Sequence, residues 1–129
     1  MTPERDRRLA VIAESLYLAN LLLAPGLAFV VLLWLANCAE IKTADKHSLA
    51  RQHVRQTLVA SLWAGALLGL LSIAILAIGG LASMWSWLCL ILYFTVFHAS
   101  LVLFGMFGLA RAIAGQRFRY PLIGPRELP

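Results

Sequence analysis

Apolar residues gather in three blocks, Leu9–Leu35, Leu58–Ile78 and Trp87–Ala110, and the charged residues, Glu14 excepted, lie outside them. The second and third blocks share one uncharged run: the 55 residues between Arg55 and Arg111 contain no Asp, Glu, Lys or Arg. A helix needs about 20 apolar residues to cross a hydrocarbon core. The run therefore predicts a transmembrane hairpin, turning at Gly79-Gly80 and the segment Leu81–Ser86, with Trp85 and Trp87 at the headgroup level.

The first block is different. Its 27 residues would make a continuous helix of ~40 Å, more than the ~30 Å core requires. Pro25-Gly26 removes a backbone donor and adds freedom beside it, which predicts a break. The expected fold is all-α, a single integral membrane domain over 1–129 with three transmembrane helices near 9–35, 57–78 and 87–110, the first broken near Pro25-Gly26. The alternative folds the first block at Pro25-Gly26 into a re-entrant or two-part segment. Twenty-seven residues suffice for one tilted helix and are too few for two full spans, which favours three spans.

Between the first two blocks, 36–56 forms a polar connection. Thr43 and Asp45 are candidate N-caps, so the second helix is expected to start near Ala44. His47, Arg51 and Arg55, spaced by four, would share one face of it. After the third block Arg111 ends the apolar stretch, Gly115 stops the helix, and 111–129 is a basic, aromatic tail in which Pro121, Pro125 and Pro129 oppose further helix.

Composition fits this pattern. The chain is 61% hydrophobic and 13% charged, with mean hydropathy +0.82; a soluble domain is nearer one quarter charged. The net charge of +5 does not indicate nucleic acid, because the basic residues flank the apolar blocks and no basic patch is interleaved with exposed aromatics. Membrane lipids, with anionic headgroups, are the expected partner, together with other membrane proteins or a second copy. Cys38 and Cys89 would lie near opposite faces, too far apart for a disulfide.

Lys and Arg number three before the first block, four in the connection, none in the second turn and four in the tail. The positive-inside rule places the connection and the C-terminus in the cytoplasm. Three spans would then put the N-terminal arginines outside, against the same rule. A broken first segment removes that conflict.

Candidate chemistry is sparse. Glu14, Asn20 and His98 are the polar groups inside the spans, and an intramembrane ionisable residue is a functional candidate by default. Glu14 could equally sit in the headgroup layer beside Arg7 or Arg8. His98, near the midplane, could relay protons, ligate haem or metal with a partner, or hydrogen-bond Ser61, Ser72 or Tyr17. His47 and His53 lie too near the surface to supply a second haem ligand. No acid–base dyad, nucleophile pair or phosphate loop stands out, so no enzymatic activity, cofactor or metal is expected. Small residues recur at Ser61, Gly65 and Gly69, and again at Gly105, Gly108 and Ala112, as rows that let helices approach closely. The basic face is expected to comprise His47, Arg51, His53, Arg55, Arg111, Arg117, Arg119 and Tyr120.

Two stretches, His53-Val54-Arg55-Gln56-Thr57-Leu58-Val59-Ala60-Ser61 and Ala110-Arg111-Ala112-Ile113-Ala114-Gly115-Gln116-Arg117-Phe118-Arg119-Tyr120-Pro121, resemble a family of small bacterial membrane proteins. That family is grouped with the twenty-kilodalton Tic-type component of the chloroplast inner-envelope import machinery. His53, Arg55, Gln56 and Leu58 match its first motif, and Gly115, Phe118, Arg119, Tyr120 and Pro121 its second. Val59 and Ser61 depart from it, standing where the family has Asn and Gln. The resemblance implies a compact three- or four-helix membrane domain and, from the plant relatives, a part in a translocating assembly.

The residues point to a non-enzymatic accessory, assembly or scaffold subunit acting through helix packing. A transport or translocation component, with Glu14, Asn20 and His98 facing one lumen, is the first alternative, and a cofactor-binding subunit using His98 the second.

Overall fold

A computed structural model describes residues 1–126, and these are helical with short connections. Pro129 lies outside the described residues. Helix α1 spans Pro3–Leu22, α2 Leu27–Asn37, α3 Ala39–Lys42 and α4 Leu49–Ala77. A short 3-10 turn, Gly80–Ala82, leads to α5, Met84–Leu92, which continues through a π-helical stretch, Tyr93–His98, into α6, Ala99–Ile113.

Two helices are long and apolar enough to cross a membrane, α4 and the continuous Met84–Ile113 helix. Only 17% of each apolar window is buried, whereas the core helix of a soluble protein would be mostly covered. Their outward faces carry Leu62, Leu70, Ile73, Leu76, Ile91 and Phe107, each 60% or more exposed. In water such a surface would be a contiguous apolar patch far beyond what a monomer tolerates. In lipid it needs no cover.

The first apolar block is not a third span. Leu23–Gly26 turns the chain back, and α2 returns along α1. Leu9 and Ala13 of α1 share a core cluster with Leu32 and Leu35 of α2, with Ile41 and with Ala50 and Val54 of α4. Arg5, at the start of α1, forms a two-toothed ion pair with Glu40, its Nη2 donating to Oε2 at 2.7 Å. The break falls at the expected dipeptide. Pro25 donates no backbone hydrogen bond, Gly26 takes φ +85°, a conformation that favours glycine, and its N–H is held by Asn20 Oδ1 at 2.9 Å. The apolar tip, Leu22, Leu23 and Leu27, is exposed. It lies beside Gly65 and Leu68, partway along α4. The geometry is that of a helical hairpin: in place of the expected continuous first helix, the described residues have two long apolar helices and a shorter folded-back pair.

One consequence is topographic. The start of α1, the end of α2, the start of α4, the end of α6 and the exit segment meet at one end of the molecule. Trp34, expected at the far end of a spanning helix, is returned to this basic end and is 68% exposed. Cys38 also lies here, well away from Cys89 in α5, and both are free thiols.

Helix α4 starts at Leu49, not near Ala44. Its N-cap is Ser48, whose hydroxyl accepts from Arg51 N–H at 3.4 Å. The stronger cap comes from another helix. The Asp6 carboxylate of α1 accepts from Ser48 Oγ at 2.6 Å, Ala50 N–H at 2.7 Å and Leu49 N–H at 2.9 Å. His47 therefore precedes the helix, and only Arg51 and Arg55 of the expected stripe lie on it.

Candidate functional site: a sealed polar cluster beneath the basic end

The packing of α1 against α4 and α6 depends on small residues. An added Cβ at Gly108 would lie 2.5 Å from Glu14 Oε2, and one at Gly105 would lie 2.6 Å from Leu18 and 2.7 Å from the Tyr17 ring. The second small-residue row is therefore an internal contact, the seat of α1. Gly65 and Gly69 have no atom within 4 Å of an added Cβ, so that row faces outward, while Ser61 above it is buried.

Glu14 is fully buried and sits at the centre of four elements. Its Oε1 contacts His53 Nδ1 at 2.6 Å and accepts from Gln56 Nε2 at 3.0 Å, both on α4. Its Oε2 accepts a short hydrogen bond from the Tyr120 hydroxyl of the exit segment. Gln56 Oε1 in turn accepts from Tyr120 N–H at 2.9 Å, and His53 Nε2 meets the Gln116 carbonyl at 3.1 Å. Tyr17 packs on the Tyr120 ring, centroids 5.4 Å apart, and donates to the Leu101 carbonyl at 2.9 Å.

The partners assign the protons. A carbonyl only accepts, so His53 Nε2 carries a hydrogen. Burial first, and then the Glu14 carboxyl beside it, push the Tyr120 phenol far above its usual range, so it stays a donor. Every polar atom of Glu14, His53, Gln56 and Tyr120 that faces the cluster is paired, and all four side chains are fully buried. Partner-complete and closed to solvent, the cluster has the character of a structural lock.

The lock works on the exit segment. The helix ends at Gly115, φ +70°, where Gln116 N–H reaches the Arg111 carbonyl at 2.8 Å and Gly115 N–H reaches that of Ala112 at 3.0 Å, a Schellman close. Gln52 Nε2 then donates to the Phe118 carbonyl at 2.6 Å. Gln52, His53 and Gln56, one turn of α4, thus hold three points of the segment. Phe118 and Tyr120 pack with Tyr17, Ala60 and Phe104. The tail is a strap folded into the bundle, not a free anchor.

The expected site residues are thereby sorted. Glu14, His53 and Tyr120 come together, although His53 and Tyr120 were expected on the surface and Glu14 either inside a span or in the headgroup layer beside Arg7 or Arg8. His47, Arg51, Arg55, Arg111, Arg117 and Arg119 are exposed at the basic end. Arg111 bonds Gln116 Oε1 at 2.6 Å and Arg117 reaches the His47 carbonyl at 3.4 Å. Glu14, Asn20 and His98 do not line a common path: Glu14 is sealed, whereas Asn20 and His98 border a cleft under the hairpin tip. His98 makes none of the hydrogen bonds expected of it, for Tyr17 bonds Leu101 and Ser72 bonds Leu68. Sequence reasoning missed Gln56, Gln52 and Asp6 as structural polar groups. A glutamine and a histidine three apart, His53 and Gln56, were the available signal, because both side chains fall on one helical face.

Among known proteins, no curated protein and no solved structure matches the chain. Nothing found supports the chloroplast-import resemblance, whose first motif already lost two polar positions at Val59 and Ser61. A family model does match, over residues 5–126, which covers every element described above, from the ion-paired start of α1 to the strap. With its two apolar helices, its folded-back pair and its strap all inside that match, the chain belongs to the MamF/MmsF magnetosome magnetite crystal formation protein family.

Proposed function

We propose that the chain is a non-enzymatic assembly subunit of the membrane in which a magnetite crystal forms, working through contacts with lipids and with other membrane proteins or its own copies. The observation that carries this is the disposition of its polar groups. The buried polar cluster is closed and internally satisfied, so it offers no reacting group to a substrate. What the molecule presents outward is a basic end and an apolar belt interrupted by the bare backbone at Gly65 and Gly69. Small residues on an outward face allow a second helix to approach closely. Family membership supports crystal formation as the process, and the outward-facing polar and small residues support packing contacts as the manner.

In this reading the basic end lies in the cytoplasm, where Lys and Arg concentrate, and both termini with it. The C-terminus is cytoplasmic, and the membrane is the inner membrane or one derived from it. Exposed Arg and Lys side chains there would meet anionic headgroups or an acidic partner surface, each near the surface contributing about 1 kcal/mol. The test is association. Gly65→Leu with Gly69→Leu should shift the protein from complexes to a smaller species on native gels, with its melting temperature retained. Complexes unchanged by the pair of substitutions would overturn the proposal.

A further inference from the structure

The helical hairpin leaves a space beneath its tip. A cleft of about 540 Å³ is bordered by Asn20, Pro25 and Gly26 of the hairpin, Ala64 and Gly65 of α4, and the aromatic wall of the second long helix. Its depth follows from the helices. Ser61 stands 12 residues after Leu49, ~18 Å along α4, and His98 14 residues after Met84, ~21 Å along the second helix. Both lie within the apolar blocks, Ser61 three residues past the start of the second at Leu58 and His98 11 residues past the start of the third at Trp87.

At that depth a polar group without a partner is costly, because no water competes for it. Yet four such groups surround this cleft. Asn20 spends Oδ1 on Gly26 N–H, and its Nδ2 donates to nothing among the described residues. Ser61 Oγ is buried with no partner. The Tyr93 hydroxyl and both His98 nitrogens make no hydrogen bond among the described residues. Each of the four can donate. The wall itself is shaped for something flat. The π-helical stretch Tyr93–His98 replaces ordinary helix here, the kind of distortion that recurs at functional sites. It sets the Phe94 ring edge-on to His98 with centroids 5.3 Å apart and Tyr93 6.2 Å from the same imidazole.

From this donor-rich, aromatic cleft we propose that the chain binds an isoprenoid quinone, its carbonyl oxygens accepting from Asn20, His98 and Tyr93 and its ring lying against Phe94. The quinone supplies the two features the lining lacks, acceptors and a planar apolar body. A phospholipid acyl chain supplies neither. The inference draws its hydrogen-bond donors from outside the assembly reading: it uses none of the arginines, and of the two outward-facing glycines only Gly65 borders the cleft.

The test is photolabelling of the full chain in phosphatidylcholine nanodiscs with an azido-quinone, the label mapped by peptide mass spectrometry and competed with decylubiquinone. The expected label falls on Leu21–Phe29 or Tyr93–His98 and is removed by competitor. Ala66→Phe, which projects a ring into the cleft from an exposed position, should abolish it. His98→Leu and Asn20→Leu should each raise the competitor concentration needed ~3–10-fold, the loss of one hydrogen bond. Trp63→Phe, on the lipid face, should leave it unchanged. Label spread over Leu70–Leu76 without competition would mean simple partitioning and overturn the proposal. So would no label at all, or label that survives both Ala66→Phe and His98→Leu in proteins with unaltered melting. A photoactivatable phosphatidylcholine that labels the cleft and resists displacement by the quinone would overturn it too, in favour of an acyl chain.

Discussion

Glu14 shows how one residue can hold a membrane bundle together. Removing a partner from a buried, hydrogen-bonded pair leaves uncompensated polar groups and typically costs about 3–5 kcal/mol. Glu14→Ala should therefore lower the thermal stability in detergent sharply, because His53, Gln56 and Tyr120 all lose their acceptor. Glu14→Gln keeps the shape and most of the bonds and should cost roughly 1–3 kcal/mol, the worth of hydrogen bonds to a charged group. Tyr120→Phe removes one donor and should fall near or below the Gln variant. Glycines give a cleaner contrast. Gly108→Ala would drive a methyl into the Glu14 carboxyl and should be destabilising, while Gly65→Ala meets open space and should leave the melting temperature unchanged. Parallel losses at both positions would contradict the assignment of one row to the inside and one to the outside. At this scale the sequence was half legible. An intramembrane carboxylate is conspicuous in a chain this apolar, and Glu14 could be singled out. Its partners could not, because His53 sits among Arg51 and Arg55 in a polar segment, and only the fold-back of α1 brings the carboxyl to its level.

The elements carry the next set of expectations. Helix α4 is capped by its own Ser48 and, more strongly, by Asp6 of α1, which no local pattern reveals; Thr43 and Asp45 were the candidates a reading of neighbours offered. Partial burial pushes the Asp6 carboxyl up, but hydrogen bonds from Ser48, Ala50 and Leu49 outweigh it and hold it below the ordinary carboxylate range. A carboxyl lowered on folding stabilises fully above its unfolded value of 3.8, and that stability is lost as pH falls through its folded value. A melting series from pH 6 downward should thus be flat for Asp6 until about pH 4, then decline, and Asp6→Asn should flatten the decline. Asp6→Ala should cost about 1–2 kcal/mol at neutral pH, the loss of a cap. The Arg5–Glu40 pair at the same end is exposed, and its removal should matter little. The break at Pro25-Gly26 was readable from the dipeptide alone. What happened after it was readable only as the less favoured alternative, a re-entrant or two-part segment, because 27 residues suffice for one tilted helix and length alone preferred that. The exit segment was read correctly as a helix stop at Gly115, but its return into the bundle depends on Gln52, His53 and Gln56, which no local pattern marks.

At the scale of the whole molecule, the fold-back and the charge pattern agree. The arginines before α1, the basic connection and the basic strap all lie at one end, and the turn at the other end carries no Lys or Arg. The three-span expectation had set the N-terminal arginines against the positive-inside rule; the folded-back hairpin removes that conflict with no change to the two long helices. Membrane residence was legible from hydropathy, since a chain with an uncharged run of 55 residues has few other solvents open to it. The process it serves was not legible, since nothing in a helix-packing row or a buried carboxylate indicates a mineral. Only the family membership does that. The central structural claim is that the first apolar block enters the membrane and comes back, so that both ends of the chain share a side. Tags fused to the N-terminus and to the C-terminus, probed by protease or impermeant label in intact and in opened vesicles, measure this directly. Both tags should be accessible from the same side, in the same vesicle preparation, with the Gly79–Ser83 turn accessible from the other. Tags on opposite sides would mean that Leu9–Leu35 crosses the bilayer, and would contradict the fold-back, the Asp6 cap and the Glu14 lock together.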